Sequence, residues 1–314
     1  REDSAQTEMR FQIGHQVGDI ARSIYDPEAR GVVIDVENEG FPAAFARSAE
    51  LLKHPQPVFE AGFSAGGALA FADVMLPSPK SEELSWRMIE VKSSTSVKDY
   101  YRDDVAIQSF IAKAAGIPLE SVALAHIDSS WTYPGNEDYR GLLKENDLTD
   151  EAFSRHGEVR TWIEQAQQVA AQSDEPEIHI GPHCKTPYEC GFTAYCCQNE
   201  PKPEYPVCWL PGIRSTKIQE WAENGVDDLR DVPDELINHM QQRVKTHTLA
   251  QTVYFDADGA AKDLAPYPPP VQFLDFETIQ FAVPIWAGTR PYQMIPFQFS
   301  LHTVSSSGEM AHDE

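Results

Sequence analysis

The sequence predicts an α/β fold, and three stretches carry that expectation. Leu69–Leu76 surrounds one acid, Asp73, with small and apolar residues, and Trp86–Ser93 carries Glu90 and Lys92 in an otherwise apolar run. Both read as strands, with Pro77, Ser78 and Pro79 marking the turn region between them. Gln6–Tyr25 sets Ile13, Val17, Ile20, Ala21 and Ile24 in a stripe at helical spacing, and a second helical segment covers Asp99–Ala115.

Each element brings chemistry with it. Strand residues two apart share a face, so Glu90 and Lys92 emerge together. Pairing of the two strands adds Asp73, which gives two carboxylates and an ammonium around one point. Two carboxylates suit a hard divalent cation, and a neighbouring lysine can position a water or steady phosphate charge. An E-x-K triplet by itself also describes a solvated strand face with a weak ion pair. An acid inside an apolar strand tips the reading toward function, because an unpaired buried charge is costly. Glu60, in Val58–Phe63 on the strand expected before Asp73, is the candidate supporting carboxylate, with an edge-strand charge as the alternative. His15 and Asp19 lie off the stripe of the first helix, and His15 reads as a surface histidine.

Asp73, Glu90-x-Lys92 and Gln108 together resemble the PD-(D/E)xK nucleases of the RecB-like branch. The resemblance implies a restriction-endonuclease-like mixed sheet flanked by helices, cutting DNA with Mg2+ or Mn2+. It implies that Asp73 and Glu90 bind the metal, that Lys92 positions the attacking water, and that Gln108 lies beside the site. Two positions depart from the branch: Ala112 stands where a tyrosine is usual, and Gly18 where a histidine is expected.

All five cysteines, Cys184, Cys190, Cys196, Cys197 and Cys208, fall in a 25-residue window. Nothing resembles a secretory signal or a membrane span, so a cytoplasmic, reducing setting and no membrane partner are expected, and clustered thiols there suggest a metal. Cys184, Cys190 and Cys196 resemble the C-terminal cysteine triad of iron–sulfur nucleases in the same branch, which implies a [4Fe-4S] cluster. The cysteine that precedes the core in those proteins is absent, and Cys197 is the candidate substitute. The chain begins at Arg1 without methionine, which suggests an upstream segment removed. Zn2+ held by Cys184, Cys190, Cys196 and either His183 or Cys208 is the alternative, and free structural thiols are a third reading.

After the proline-rich linker Ala265–Pro270, Val271–Thr278 is an apolar strand with Asp275 and Glu277 on one face. The pair suits metal binding and resembles the first motif of DnaQ-like, RNase H-fold exonucleases. That fold needs further aspartates well beyond Glu314, so no exonuclease activity is expected of this polypeptide. Between cysteines and linker, Trp209–Arg214 followed by helical sequence to about Gln241 resembles a helix-hairpin-helix module, or equally a helical spacer. The expected organisation is a RecB-like nuclease domain with its cysteine cluster over residues 1–200, a helical segment over 205–250, and the start of an RNase H-like domain over 268–314. That order of parts resembles a bacterial family joining the three.

Charge constrains the partner. Forty-nine acidic residues oppose 25 basic ones, a formal charge of −24, whereas nucleic-acid binding draws mainly on basic side chains. DNA, single-stranded or at its ends, is the expected partner, and duplex DNA is expected to bind weakly, with strong dependence on salt and metal. Either a local strip of Lys92, Lys98, Arg102 and Lys113 serves it, or the acidity reflects general solubility chemistry and divalent ions bridge the phosphates. The contrasting expectation is a non-catalytic metal-binding scaffold that keeps the nuclease fold.

Overall fold

The apolar stripe read between Gln6 and Tyr25 forms α1 (Ala5–Tyr25), which buries Val17, Ile20 and Ala21. The chain is represented by a computed structural model describing residues 5–78, 83–178, 180–199 and 203–314, so Pro79 of the expected turn lies outside the described residues. After β1 (Val32–Val33), the Asp35 carboxylate caps α2 (Val36–Glu39) by accepting from the Asn38 amide, and α3 (Phe41–Leu51) follows. β2 (Val58–Ala65) and β3 (Ala68–Pro77) make a tight hairpin. Its turn needs Gly66 and Gly67, both at positive φ, a region that side-chain-bearing residues avoid.

β4 (Trp86–Lys92) leads into α4 (Asp99–Ala114), then β5 (Leu119–Ile127), β6 (Leu143–Asp147), α5 (Thr149–Ser154) and α6 (His156–Ala170). Among the described residues these strands form one six-stranded mixed sheet in the order β1-β2-β3-β4-β5-β6. β1–β2 and β4–β5 are parallel, and the remaining pairs are antiparallel. Parallel neighbours require a crossover, and α4 supplies the one between β4 and β5. Its Val105, Ala106, Ile111 and Ala112 pack with Met88, Val122 and Leu124 on one sheet face. Val74, Ile89 and Ala123 alternate to the other face, where Tyr25 of α1 joins them. The α/β class and the helix-flanked mixed sheet expected from the sequence are both present.

The chain divides into two compact units: residues 1–173 with 274–301, and residues 174–273 with 302–313. The second unit contains the cysteine window, α7 (Thr193–Asn199), α8 (Ser215–Glu223), α9 (His239–Leu249) and α10 (Ala257–Leu264). A small core of Val207, Leu210, Trp221, Leu229, Val232 and Ile237 holds it. Helical sequence was expected through to about Gln241, but α8 stops at Glu223. Gly225 at positive φ turns the chain away, and Pro233 disfavours helix at the residue before it. Among the described residues no helix is long and apolar enough to cross a membrane.

β7 (Val271–Ile279), β8 (Ile295–Val304) and β9 (Met310–Asp313) form a separate three-stranded sheet. The sequence places this region at the start of another domain, yet the segment between β7 and β8 packs inside the first unit. Ala282 and Val283 are buried with Val17, Ile20, Ile127 and Leu142. The Tyr133 amide donates to the Thr289 carbonyl at 2.9 Å, the Gly288 amide returns a bond to the Tyr133 carbonyl at 2.8 Å, and the Tyr292 hydroxyl donates to the Ser93 carbonyl at 2.5 Å. Val283→Asp buries an unpaired charge there and should cost about 3–5 kcal/mol. Chemical denaturation followed by fluorescence measures it; a loss below about 1 kcal/mol would show that the segment is not anchored.

Candidate active site

The acids sit where the backbone ladder breaks. β3 and β4 pair from Pro77 and Trp86 as far as Val74 and Ile89. One step beyond, Asp73 and Glu90 occupy facing positions without pairing. The Asp73 Oδ2 accepts the Val91 amide at 2.6 Å, so a side chain satisfies a donor that a continued ladder would have used. The β2–β3 ladder skips the same level: Phe59 pairs with Val74 and Ala61 with Ala72, leaving Glu60 and Asp73 between them. Glu60 itself lies at φ 56°, a costly conformation for a residue with a side chain and one that clusters at functional sites. Glu60, Asp73 and Glu90 thus lie at one level across three strands.

Lys92 ties this level to α4. Its Nζ lies 2.6 Å from Glu90 Oε1 and 2.7 Å from Asp104 Oδ2. Gln108, one turn along α4 from Asp104, turns its Nε2 toward Asp104 Oδ1 at 3.4 Å. The Tyr101 ring lies under the same ammonium, 5.4 Å from Nζ. Burial works against the charge on Lys92, but Glu90 and Asp104 outweigh it and hold the ammonium protonated far above neutral pH. Burial, then the charge of Glu60, pushes Asp73 up to about 6, opposed by the Val91 amide and Lys92. Glu90 is raised well above the carboxylate range by burial, then by Asp73 and Asp104. Glu60 is also raised, chiefly by burial, and Arg22 on α1 stands 4.0 Å away as its partial counter-charge.

Two buried oxygens in this cluster, Glu90 Oε2 and Gln108 Oε1, have no hydrogen-bond partner in the protein. Such atoms are expensive, and beside a second raised carboxylate they suit a hard cation that supplies the missing positive charge. Asp73 and Glu90 are the residues that fit it. Among the described residues no group of three or more His, Cys, Asp or Glu is arranged to hold an ion. The fit therefore rests on two carboxylates, the number Mg2+ commonly takes from protein when water and substrate oxygens complete its shell.

The five candidate residues from the sequence come together here: Asp73, Glu90 and Lys92 directly, Gln108 through Asp104, and Glu60 through its charge on Asp73. Asp104, Tyr101 and Arg22 were not singled out from the sequence. Asp104 was legible, since it precedes Gln108 by four residues on one helix face; Arg22 and Tyr101 carried no such signal. Ala112, in place of the usual tyrosine, is fully buried in the core. Of the expected basic strip, Arg102 pairs with Glu151, Lys113 lies over the Phe153 ring, and Lys98 lies over the Tyr100 and Tyr101 rings. His15 is exposed, and Asp19 pairs with Arg22.

In the second unit all five cysteines are free thiols. The Cys190 amide donates to the Cys184 carbonyl at 2.7 Å. The Cys196 thiol is pushed up by burial, then by the neighbouring Cys184 and Cys190 thiols, but among the described residues these sulfurs are not arranged as a group that could hold an ion. Cys196 and Cys197 are consecutive in α7, and consecutive helical side chains leave about 100° apart. On β7, Asp275 and Glu277 are exposed, and Asp275 Oδ1 accepts the Phe276 amide at 2.9 Å.

Residues 272–314 match a family described as Domain of unknown function (DUF2779). No curated protein matches the chain. A solved structure described as the crystal structure of SSO0001 aligns with 15% identity over 62% of this chain and 82% of that one, with a TM-score of 0.25, too low to speak for a shared fold.

The raised carboxyl groups set a sign for stability. Asp73 is harder to ionise in the folded chain than in the unfolded one, where it titrates near 3.8. Its contribution favours the fold in acid and is lost as pH rises from about 4 to about 6. Asp73→Asn should therefore raise the melting temperature at pH 8 by a few degrees without divalent cations, and by less at pH 4. Scanning calorimetry at both pH values checks this; equal shifts at both would contradict it.

Proposed function

We propose that the Asp73–Glu90–Lys92 site hydrolyses phosphodiester bonds in DNA with a divalent cation, Mg2+ or Mn2+, held by Asp73 and Glu90. The observation that carries this reading is the unpartnered Glu90 Oε2, buried beside Asp73 while the other Glu90 oxygen is fixed by Lys92. When bound, the cation supplies charge to offset the developing negative charge on the phosphate and lowers the pKa of a coordinated water.

The protein groups divide the remaining work. A lysine ammonium has three donors; Glu90 and Asp104 take two of them at Lys92, and the third is left directed by the other two. Because Lys92 stays protonated it serves as a donor and not as the base, aiming its last N–H at the attacking water or a phosphate oxygen. Gln108 holds Asp104, which fixes Lys92, so Gln108 is a positioning residue. Glu60 keeps Asp73 harder to ionise until positive charge arrives.

Cys184, Cys190 and Cys196 are proposed to hold an iron–sulfur cluster, a reading that rests on their clustering in the sequence and on the nearness of Cys184 and Cys190 to Cys196, with a rearrangement of the sulfurs needed to enclose it; Zn2+ at the same sulfurs is the competing occupant. The cluster's role there is structural.

Glu90→Gln and Lys92→Ala should each reduce Mn2+- or Mg2+-dependent cleavage of single-stranded DNA about a hundredfold or more, with Asp275→Asn unaffected. Cleavage unchanged in both variants would remove the reading. Protein purified without oxygen should be brown and contain iron that Cys184→Ser loses; stoichiometric zinc with no iron would replace the cluster by a zinc site.

A further inference from the structure

The loop that follows the catalytic strand, Ser93–Lys98, borders a second polar feature that hydrolysis itself does not use. Ser94, Thr95, Ser96 and Lys98 line a cleft of about 280 Å³, and its far wall is Tyr292, delivered from the segment between β7 and β8. Among the described residues no carboxylate lines it. In a chain with 49 acidic residues, a cleft offering hydroxyls, a phenol and an ammonium is chemically distinct from its surroundings.

Its position relative to the acids is fixed by shared contacts. The Tyr101 ring lies 5.4 Å from Lys92 Nζ and 5.7 Å from Lys98 Nζ, so one aromatic ring serves both ammoniums. Tyr292 donates its hydroxyl to the carbonyl of Ser93, the residue directly after Lys92. Ser94 Oγ donates to the Ser96 carbonyl, which folds the loop back on itself. Lys98 also opens α4 without a side-chain cap, so the helix start adds to the positive character of this end of the cleft. The exposed Lys98, Thr95 and Ser96 contrast with the half-buried Tyr292, a layout of adaptable rim and fixed wall.

We propose that this cleft binds a phosphate of the nucleic-acid strand adjacent to the one that is cut. Lys98 meets the phosphate charge, the Thr95 and Ser96 hydroxyls donate to its oxygens, and Tyr292 sets the wall that places the strand. The proposal rests on the phosphodiester reading of the acid site and deepens it. It makes the DUF2779-matching segment part of the substrate site of the first unit, because residues matched by that family supply Tyr292.

Binding of a short fluorescein-labelled single-stranded DNA, followed by anisotropy across a salt series, tests the cleft. The measurements use a Glu90→Gln background so that the strand stays intact. Lys98→Ala should weaken binding roughly tenfold, the scale of one charge-assisted hydrogen bond, and reduce the slope of log affinity against log salt by about 0.7–1. Lys98→Arg should restore the slope. Tyr292→Phe, which keeps the ring, should cost about fivefold with the slope unchanged. An unchanged affinity and slope for Lys98→Ala would overturn the subsite even if the wild type cleaves DNA. A wild type that does not cleave, combined with a lowered slope for Lys98→Ala, would instead remove the hydrolytic reading and leave the phosphate cleft standing.

Discussion

Lys92 is held between Glu90 on its own strand and Asp104 on the crossover helix, and the rest of the first unit is arranged around keeping that ammonium in place. A half-buried lysine and a buried glutamate are each expensive alone, and each becomes tolerable only when the other is at hydrogen-bonding distance with further partners behind it. Those partners come from α4: Asp104 accepts from Lys92, and Gln108 steadies Asp104. The parallel β4–β5 pair demands a crossover helix on one face, and the buried Val105, Ala106, Ile111 and Ala112 fix its rotation. Because those four residues face the sheet, Asp104 and Gln108 are carried to the end of β4. The apolar packing of the helix and the polar chain Glu90–Lys92–Asp104–Gln108 are two consequences of one helical phase.

The opening in the sheet follows from the same crowding. A continued ladder between β3 and β4 would bring Asp73 and Glu90 face to face as ordinary strand neighbours, with two charges in low dielectric. Instead the pairing ends at Val74 and Ile89, Asp73 takes the Val91 amide, and Glu60 adopts positive φ on the next strand. Backbone strain and raised carboxyl groups coincide at one level of the sheet. The β4–β5 ladder, by contrast, shifts register at Trp86 and Arg87 and then runs unbroken to Lys92 and His126, past the level of the acids. A sheet opened on one side of Glu90 and closed on the other is what pre-organisation for positive charge would produce.

Periodicity made the strands around Asp73 and Glu90, the helices at Ala5–Tyr25 and Asp99–Ala114, and the β7 strand legible, because each buries a face with a clear period. The i, i+2 relation of Glu90 and Lys92 was legible for the same reason. The strain at Glu60 was not, since a positive φ at glutamate leaves no trace in composition. Nor was the docking of Ala282 and Val283 among Val17, Ile127 and Leu142, because two small apolar residues after a strand look the same whether they cover their own sheet or a distant one. The end of α8 at Glu223 was hidden by a propensity that Gly225 and Pro233 overrode locally.

The overall acidity of the chain bears on how such a site could select a substrate. A net charge of −24 repels a polyanion at long range, so encounter with nucleic acid gains nothing from general electrostatics and must depend on short-range groups. Arg102 is neutralised by Glu151, and Arg22 faces Glu60 and Asp19. Lys92 is bound on two sides by carboxylates. Under the proposed function, the groups that would meet a phosphate are Lys98 at the cleft and whatever cation Asp73 and Glu90 hold. Two such points flanking Tyr101 would admit a flexible strand, whose phosphates can adjust to both, more readily than a stiff duplex, whose second backbone would lie against the acidic surface. Under the proposed function, the acidity that weighs against DNA binding in general would act as a filter for strand form.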